Sequence, residues 1–287
     1  MRKIVLIILA IIATLPTLTA QNTVGVTGGF GSGGESIYPV VEGRTIYGLT
    51  NFGLTWRNYS RESVVGGFGV DLEYMQRGFS YSPYASQAVE GEELYYYTRR
   101  INSIMLPIVW QPHFYMLYRR VRVFLEAAAT FNYDLNSTYS NDYLRNKYEE
   151  AGLELEDWEG DYEYMTARDN RFGYGLAGGG GISLLGGKYE VMARVRYYYG
   201  LSDVVRNRNK YYSNNLDGPE NPFSLTPIRA PLNNLFISFG LSYHFGPEGF
   251  KSWNQERVKV PNMGKGFDFK GETNSDKREN QQNKQRR

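Results

Sequence analysis

The sequence predicts an all-β fold, an eight-stranded antiparallel up-and-down transmembrane β-barrel. Three observations predict it. The 287 residues include 25 tyrosines and 32 glycines, an excess that is typical of proteins built from strands and turns. Apolar residues recur with a period of two rather than 3.6, which indicates strands rather than helices. Short and long connections between these segments alternate, so all the long ones fall at one end of the sheet.

The composition excludes several classes of function. The chain has no cysteine, which excludes a disulfide framework, a thiolate metal site and a cysteine nucleophile. Two histidines are too few for most histidine-based metal sites. A net charge of +2 does not indicate a nucleic-acid-binding protein. We therefore expect no cofactor, no metal and no nucleic-acid partner.

Residues 1–20 have the pattern of a secretory signal peptide. Arg2 and Lys3 form a short cationic start, and an apolar run then leads to a small residue, Ala20, before the expected cleavage site. A transmembrane anchor is the alternative, but it requires roughly 20 apolar residues and this run is shorter. We therefore expect export of the mature chain.

Eight alternating segments are predicted within residues 21–246, which we assign to the barrel. The last of them alternates Ile237 and Phe239 with Ser238 and Gly240. Such alternation places apolar side chains on one face of a strand and small or polar ones on the other. In chain order the segments are residues 23–31, 45–57, 64–77, 102–113, 120–134, 171–185, 189–201 and 235–245.

The connections set the orientation of the barrel. Those near residues 58–62, 114–119 and 186–187 are short, and they alternate with long ones. Outer-membrane barrels have this asymmetry, with short periplasmic turns and long extracellular loops. We expect three of the long outer loops to cover residues 80–100, 135–170 and 203–233.

The apolar face is predicted to contact lipid. A soluble, lipocalin-like barrel has the same alternation with its faces reversed, so the other face must decide. In residues 172–184 that other face is small throughout, which suits a narrow lumen rather than a water-covered surface. Aromatic residues of the apolar face also fall at segment ends, as expected at two membrane interfaces. The predicted aromatic girdle comprises Trp56, Tyr74, Trp110, Tyr133, Tyr174, Tyr189, Tyr197, Tyr199, Tyr243 and Phe245.

Eight charged residues share the inward face. In a confined lumen each charge must be paired, because an isolated buried charge costs several kcal/mol. We interpret the set as a structural ion-pair network, and a charged conduit is the alternative. Its predicted members are Asp71, Glu73, Arg77, Arg122, Glu126, Glu190, Arg194 and Arg196.

Four segments occur in an order that is known from one family. They are EYMQRG at residues 73–78, IMLPI at 104–108, RYYYGLSD at 196–203, and a closing strand at 234–245 that ends on an aromatic residue. Together they resemble the outer membrane β-barrel domain, also called porin-family, that is common in Bacteroidetes. The resemblance implies an eight-stranded barrel in the outer membrane of a Gram-negative bacterium. Some barrels of this type serve the type IX secretion machinery, and the family name does not by itself establish a pore.

Two further segments carry strong charge. The tail, residues 247–287, is polar and rich in lysine and arginine, so we expect it to be disordered in the periplasm. It could contact a periplasmic partner or an anionic surface. The loop at residues 148–164 is acidic; cation binding there is the alternative to a solvated loop. Residues 29–34 match G-x-G-x-x-G, which we interpret as a flexible outer loop because no helix follows.

We therefore predict an integral outer-membrane protein of structural or interaction type, with a side-chain-filled lumen, long outward loops and no enzymatic activity. The alternatives are a small-solute porin and a subunit of a secretion or adhesion complex. A membrane-embedded lipid or peptide hydrolase is a third, because Ser242, His244 and His113 share the inward face. The expected partners are outer-membrane lipid, the barrel insertion machinery, and a periplasmic or cell-surface protein.

Overall fold

Eight long strands dominate the structure, a computed structural model. It describes residues 21–35, 43–59, 66–82, 96–117, 120–152, 158–166, 169–204, 206 and 231–245. The predicted signal peptide (residues 1–20) and tail (247–287) lie outside the described residues. The strands are β1 (Gln21–Glu35), β2 (Ile46–Tyr59), β3 (Gly67–Tyr81), β4 (Tyr97–Gln111), β5 (Val121–Asn141), β6 (Phe172–Gly186), β7 (Tyr189–Asp203) and β8 (Pro231–Phe245).

The eight strands close into a barrel. Each pairs antiparallel with the next in sequence, and β8 pairs with β1, so that every one of the eight is paired on both sides. Val24 of β1 lies opposite Tyr243 of β8 on one side and Trp56 of β2 on the other. The predicted eight-stranded antiparallel barrel is therefore confirmed, and closure leaves none of these strands as an open edge.

Three short strands supplement the barrel. Gly43–Arg44 pairs with β3, and Glu159–Asp161 pairs with the outer part of β5. His113–Met116 pairs with the start of β5 and is separated from β4 by Pro112, which has no backbone N–H to contribute to a ladder. No helix in the described part of the chain is long and apolar enough to cross a membrane.

The strands extend further toward the long-loop end than the periodicity predicted. β3 continues to Tyr81, β4 begins at Tyr97 and β5 continues to Asn141. Tyr97 lies opposite Asn141, and Glu159–Asp161 lies on the other side of β5, so backbone pairing persists there. The apolar alternation ends earlier, because side chains beyond the lipid no longer need to be apolar on one face.

Four predicted loop assignments are corrected by these extensions. Residues 29–34 lie within β1, which pairs with β2 and β8, so this segment is a strand and not a flexible loop. The predicted loops at residues 80–100 and 203–233 each begin and end with strand residues. The predicted loop at 135–170 begins with the outer part of β5 and contains helix α1 (Asp142–Glu150).

The two faces of the barrel are the reverse of those of a soluble protein. Outward Leu72 of β3 is 49% exposed, whereas its inward neighbours Asp71 and Glu73 are fully buried. Exposed apolar side chains recur on all eight strands, and most described inward positions are polar, charged or small. Apolar side chains that cover the outside of a closed barrel are what a lipid environment requires.

The ten predicted girdle residues all lie on the outward face. Trp56 and Tyr243 are partly exposed. The other eight are between 43% and 57% exposed, and they occupy the two ends of the outward rows. Tyr189 and Tyr243 form an edge-to-face pair at the short-turn end, with ring centroids 5.5 Å apart. Tyrosine and tryptophan favour both interfaces because each combines an apolar ring with a polar group.

The lipid-facing assignment predicts a depth-dependent cost for a new charge. Phe239 lies midway along the outward row of β8 and is 55% exposed. We expect Phe239→Arg to lower the free energy of unfolding in phospholipid vesicles by about 2–4 kcal/mol, because the guanidinium would enter the hydrocarbon core. Phe245→Arg, at the interface, is the matched control and should cost about 0–1 kcal/mol. Equal effects of the two variants in equilibrium urea unfolding would contradict a lipid-facing β8.

Candidate functional site

A cluster of six charged side chains occupies the middle of the barrel lumen. Four strands contribute to it, and the strand period of two directs each of these side chains inward. We call it the charge cluster; its members are Arg57 of β2, Asp71 and Glu73 of β3, Glu126 of β5, and Arg194 and Arg196 of β7.

The charge cluster joins opposite walls of the barrel. Strands β3 and β7 are four steps apart in the ring of eight, so they face each other across the lumen. Arg194 donates to Glu73 Oε1 at 2.5 Å and to Asp71 Oδ2 at 3.2 Å. Arg196 Nη1 donates to Asp71 Oδ2 at 3.0 Å. The two arginines of β7 therefore reach the carboxylates of the opposite strand.

Further contacts extend the charge cluster to β2 and β5. Arg57 donates two hydrogen bonds to the Asp71 carboxylate, the bidentate geometry that arginine and carboxylate favour. Arg196 donates to Glu126 Oε2 from both Nε (2.8 Å) and Nη2 (2.6 Å). The Tyr198 hydroxyl donates to Glu73 at 2.5 Å. These bonds satisfy much of the hydrogen-bonding capacity of the cluster.

The charge cluster is neutral and buried. It holds three guanidinium groups and three carboxylates, and none of the six side chains is more than 5% exposed. Removing an ion from water costs several kcal/mol, and only close pairing with complementary hydrogen bonds offsets that cost. The folded barrel therefore requires equal numbers of cations and anions in this cluster.

Glycines on the lumen wall make room for the charge cluster. Gly69 lies opposite Arg57, and a Cβ there would lie 2.6 Å from Arg57 Cδ. Gly53 lies opposite Glu73, and a Cβ there would lie 2.8 Å from Glu73 Cγ. Both distances are far below van der Waals contact, so the long side chains occupy space that only glycine leaves free.

A second set of charges lies nearer the short-turn end. Arg122 of β5 pairs with Glu190 of β7, and Glu190 Oε2 lies 2.9 Å from His244 Nε2. Arg122 also donates to the Tyr59 hydroxyl at 2.8 Å and lies over that ring, with Cζ 3.8 Å from its centroid. This set lies between the charge cluster and the short-turn end.

The geometry at this end bears on the hydrolase alternative. His244 Nε2, which a serine nucleophile would need as its base, is engaged by Glu190 inside the lumen. Ser242 is buried. The other inward histidine, His113, contacts the Gln111 carbonyl at 3.3 Å through Nδ1 and is also buried. No described contact joins Ser242 to either histidine.

Arg77, predicted in the same network, lies outside the charge cluster. It follows Glu73 by four residues, about 13 Å along a strand, and so lies nearer the long-loop end. Its guanidinium donates to Asn234 Oδ1 at 3.2 Å and to the Leu232 carbonyl at 3.3 Å. Within the part of the chain that the structure describes, no carboxylate forms an ion pair with Arg77.

Arg57 belongs to the charge cluster but was not predicted from the sequence. Its neighbour Trp56 is predicted to face outward, and the strand period of two then implies that Arg57 faces inward.

An aromatic cluster covers the long-loop end of the lumen. Arg99 of β4, also missed by the sequence analysis, lies over the Tyr162 ring at 3.4 Å and donates to Ser137 Oγ at 3.1 Å. Burial raises the pKa of the nearby Tyr164 phenol, which the Arg99 cation partly opposes, so the phenol is neutral at physiological pH. The apolar members of this loop-end cluster are Phe79, Tyr81, Tyr97, Ile101, Tyr139, Tyr162, Val204 and Leu232.

The acidic loop presents no metal site in the described structure. Glu149 and Glu150 belong to α1, Glu159 and Asp161 to a short strand, and all four are exposed. Glu163 of the same loop is also exposed, and the acidic residues at 154, 156 and 157 lie outside the described residues. Among the residues that are described, no three histidine, aspartate or glutamate side chains converge to hold a metal ion.

The balance of charge in the cluster predicts the cost of removing one partner. Asp71→Asn leaves three cations and two anions in the buried cluster. We expect the free energy of unfolding in phospholipid vesicles to fall by about 3–5 kcal/mol, because a guanidinium loses its buried counter-ion. The control is Glu149→Gln on α1, where the side chain is 68% exposed and the change should stay within about 0.5 kcal/mol. Equal stability of Asp71→Asn and the parent protein would show that the cluster does not depend on its neutrality.

Comparison with known proteins places this architecture in a family. The family described as outer membrane protein beta-barrel domain matches residues 19–206. No curated protein matches the sequence. Solved structures with similarity include Ail of Yersinia pestis, Neisserial surface protein A and OprG of Pseudomonas aeruginosa, each with 11% identity and with TM-scores of 0.35, 0.38 and 0.35. The alignments cover 78%, 78% and 79% of this chain and 99%, 97% and 97% of those chains. Because the family match spans well over half of the sequence, the chain belongs to the outer membrane protein beta-barrel domain family and is a protein of the outer membrane.

Proposed function

We propose that this barrel is a non-conducting, non-enzymatic protein whose role is interaction at the outer face of the outer membrane. The observation that carries the proposal is the set of ion pairs between β3 and β7, because they bridge opposite walls of the lumen. A side chain that spans the lumen occupies the path that a solute would need.

Contacts at three levels support a closed lumen. Near the short-turn end, Arg122 of β5 contacts Glu190 of β7 and Tyr59 of β2. The charge cluster crosses the middle. Toward the long-loop end, Arg77 of β3 reaches Asn234 of β8, three strands away in the ring. A conducting path would have to break contacts at every level.

The energetics support a lumen that stays closed. Separating a buried guanidinium from its carboxylate costs several kcal/mol unless water or a solute replaces every hydrogen bond. Tyr198, Phe236, Met75 and Met105 pack in the same interior and are nearly inaccessible, which leaves little room for replacement water. Spontaneous opening would thus be rare on the timescale of solute diffusion.

The long-loop end supports a role in interaction. The outer part of β5 carries α1 and the short strand Glu159–Asp161, and together we call these the outer platform. It is braced from below by the loop-end aromatic cluster, and it exposes Glu149, Glu150, Glu159 and Asp161. A partner with a basic surface is the chemistry that complements it. The same role would suit a subunit of a secretion or adhesion complex. The four sequence motifs further support an origin in Bacteroidetes, and residues 1–20 would direct export.

Planar-bilayer recording tests the closed lumen. We expect the purified full-length protein to give no stable single-channel steps. The double variant Arg194→Ala/Arg196→Ala, which removes the bridges between β3 and β7, should give transient openings because water can then enter between the walls. Phe245→Ala, on the outward face, is the control and should behave like the parent. Stable openings of the parent protein would refute the proposal and favour the porin alternative.

Photocrosslinking in native outer membranes tests the outer platform. A photoreactive residue in place of Gly160, which is exposed on the platform, should give a defined protein adduct. Glu149→Lys/Glu150→Lys/Glu159→Lys should remove that adduct, because the platform would then repel a basic partner. The same photoreactive residue in place of Phe114, in the short-turn region, is the control for crosslinking by random collision. It should give no adduct that depends on the platform charges. An adduct that survives the charge reversal would contradict an electrostatic partner site.

A further inference from the structure

A cavity of about 270 Å³ lies at the long-loop end between the apolar outer surface and the loop-end aromatic cluster. Its walls combine two chemical characters. One side is aromatic and belongs to the outward face of β5 and β6, through Tyr133 and Phe172. The other side is polar and cationic, through Asn170, Arg171 and Arg206.

The aromatic side of the cavity is continuous with the lipid-facing surface. Tyr133 and Phe172 lie opposite each other in the β5–β6 ladder, at the last paired position toward the long loops. They are 44% and 61% exposed, as the lipid-facing residues below them are. Aromatic side chains at the end of an outward row mark the level at which acyl chains give way to headgroups. The cavity therefore opens at headgroup depth on the outer leaflet.

The cationic side is formed by two arginines that neutral contacts hold in place. Arg171 lies over the Tyr164 ring, with Cζ 4.2 Å from its centroid, and Arg206 Nε donates to the Asp169 carbonyl at 2.9 Å. Within the described residues neither arginine forms an ion pair with a carboxylate. Each is thus held in position by a neutral contact while its charge remains available.

Among the described residues of the cavity wall, the one carboxylate is directed elsewhere. Asp169 is 2% exposed, and its oxygens accept hydrogen bonds from the Tyr162 hydroxyl and the Met165 amide, both at 2.9 Å. Arg99 Nη1 lies 3.9 Å from the same carboxylate. The Asp169 charge is therefore balanced within the loop-end cluster, and the described wall of the cavity has a net positive charge.

We propose that this cavity binds the phosphate group of an anionic phosphorylated lipid of the outer leaflet. Arg171 and Arg206 donate to the phosphate oxygens, for which the planar guanidinium fork is well suited. The acyl chains of the lipid lie along Tyr133 and Phe172. The aromatic wall favours a lipid over a free phosphate, because a free ion would gain nothing from that surface. This site is independent of the closed lumen and of the outer platform.

Lipid binding to the full-length protein tests the proposal. The probe is lipid A, compared in diphosphorylated and dephosphorylated forms, with retention on the folded protein counted by native mass spectrometry from neutral detergent. We expect retention of the diphosphorylated form and about tenfold weaker retention of the dephosphorylated form, as the loss of charge-assisted hydrogen bonds implies. Arg171→Gln/Arg206→Gln should reduce retention of the diphosphorylated form to the same level, and Arg171→Lys should restore part of it relative to Arg171→Gln.

Matched controls distinguish lipid binding at this cavity from non-specific electrostatic attraction of the lipid to the protein. Arg100→Gln removes an exposed arginine at the same end of the barrel but outside this cavity, and it should leave retention unchanged. Heat-modifiable gel migration verifies folding; should the double variant fail to fold, Arg171→Gln alone and the two lipid forms still decide the question. Equal retention of both lipid forms would overturn the proposal, and so would unchanged retention by Arg171→Gln. Displacement of the lipid by inorganic phosphate at the same concentration as the lipid would overturn the assignment to a lipid.

Discussion

Eight strands enclose a cylinder that side chains nearly fill, so any charge inside it must be neutralised by another charge from the wall. The charge cluster satisfies this constraint with three arginines and three carboxylates from β2, β3, β5 and β7. In a soluble barrel an apolar interior would hold the walls together. Here the apolar side chains face lipid, and the ion pairs between opposite strands take over that function.

The two ends of the barrel use the same guanidinium chemistry in different surroundings. At the short-turn end Arg122 combines a carboxylate with the face of Tyr59. At the long-loop end Arg99 lies over Tyr162, and Arg171 lies over Tyr164. The excess of tyrosine in the composition thus has two structural uses: outward tyrosines occupy the interfaces, and inward ones provide both a ring surface and a hydroxyl for arginine.

The strand alternation allowed the fold, the number of strands and the two faces to be predicted from the sequence. It could not give the outer strand ends, because pairing beyond the lipid needs no apolar face; β5 therefore reaches Asn141 rather than residue 134. Parity alone identified eight inward charges, seven of which form ion pairs in the structure. It did not identify their partners, since partners across the lumen depend on the shear of the barrel. Arg77 shows this limit: it shares the parity of Glu73 but lies at another level. The cavity at Arg171 was beyond prediction, because its walls come from a strand end and from a segment with no periodicity.

The glycine-rich first strand has a consequence for how the protein assembles. Neither β1 nor β8 contributes a member to the charge cluster, although these two strands form the seam of the ring. A curved sheet of the six intervening strands already contains every cation and anion of the cluster. The cluster can therefore become electrically neutral before the barrel closes. Strands β1 and β8 can pair last, and few bulky side chains need to be aligned there because the inner side of β1 carries Gly25, Gly29 and Gly31.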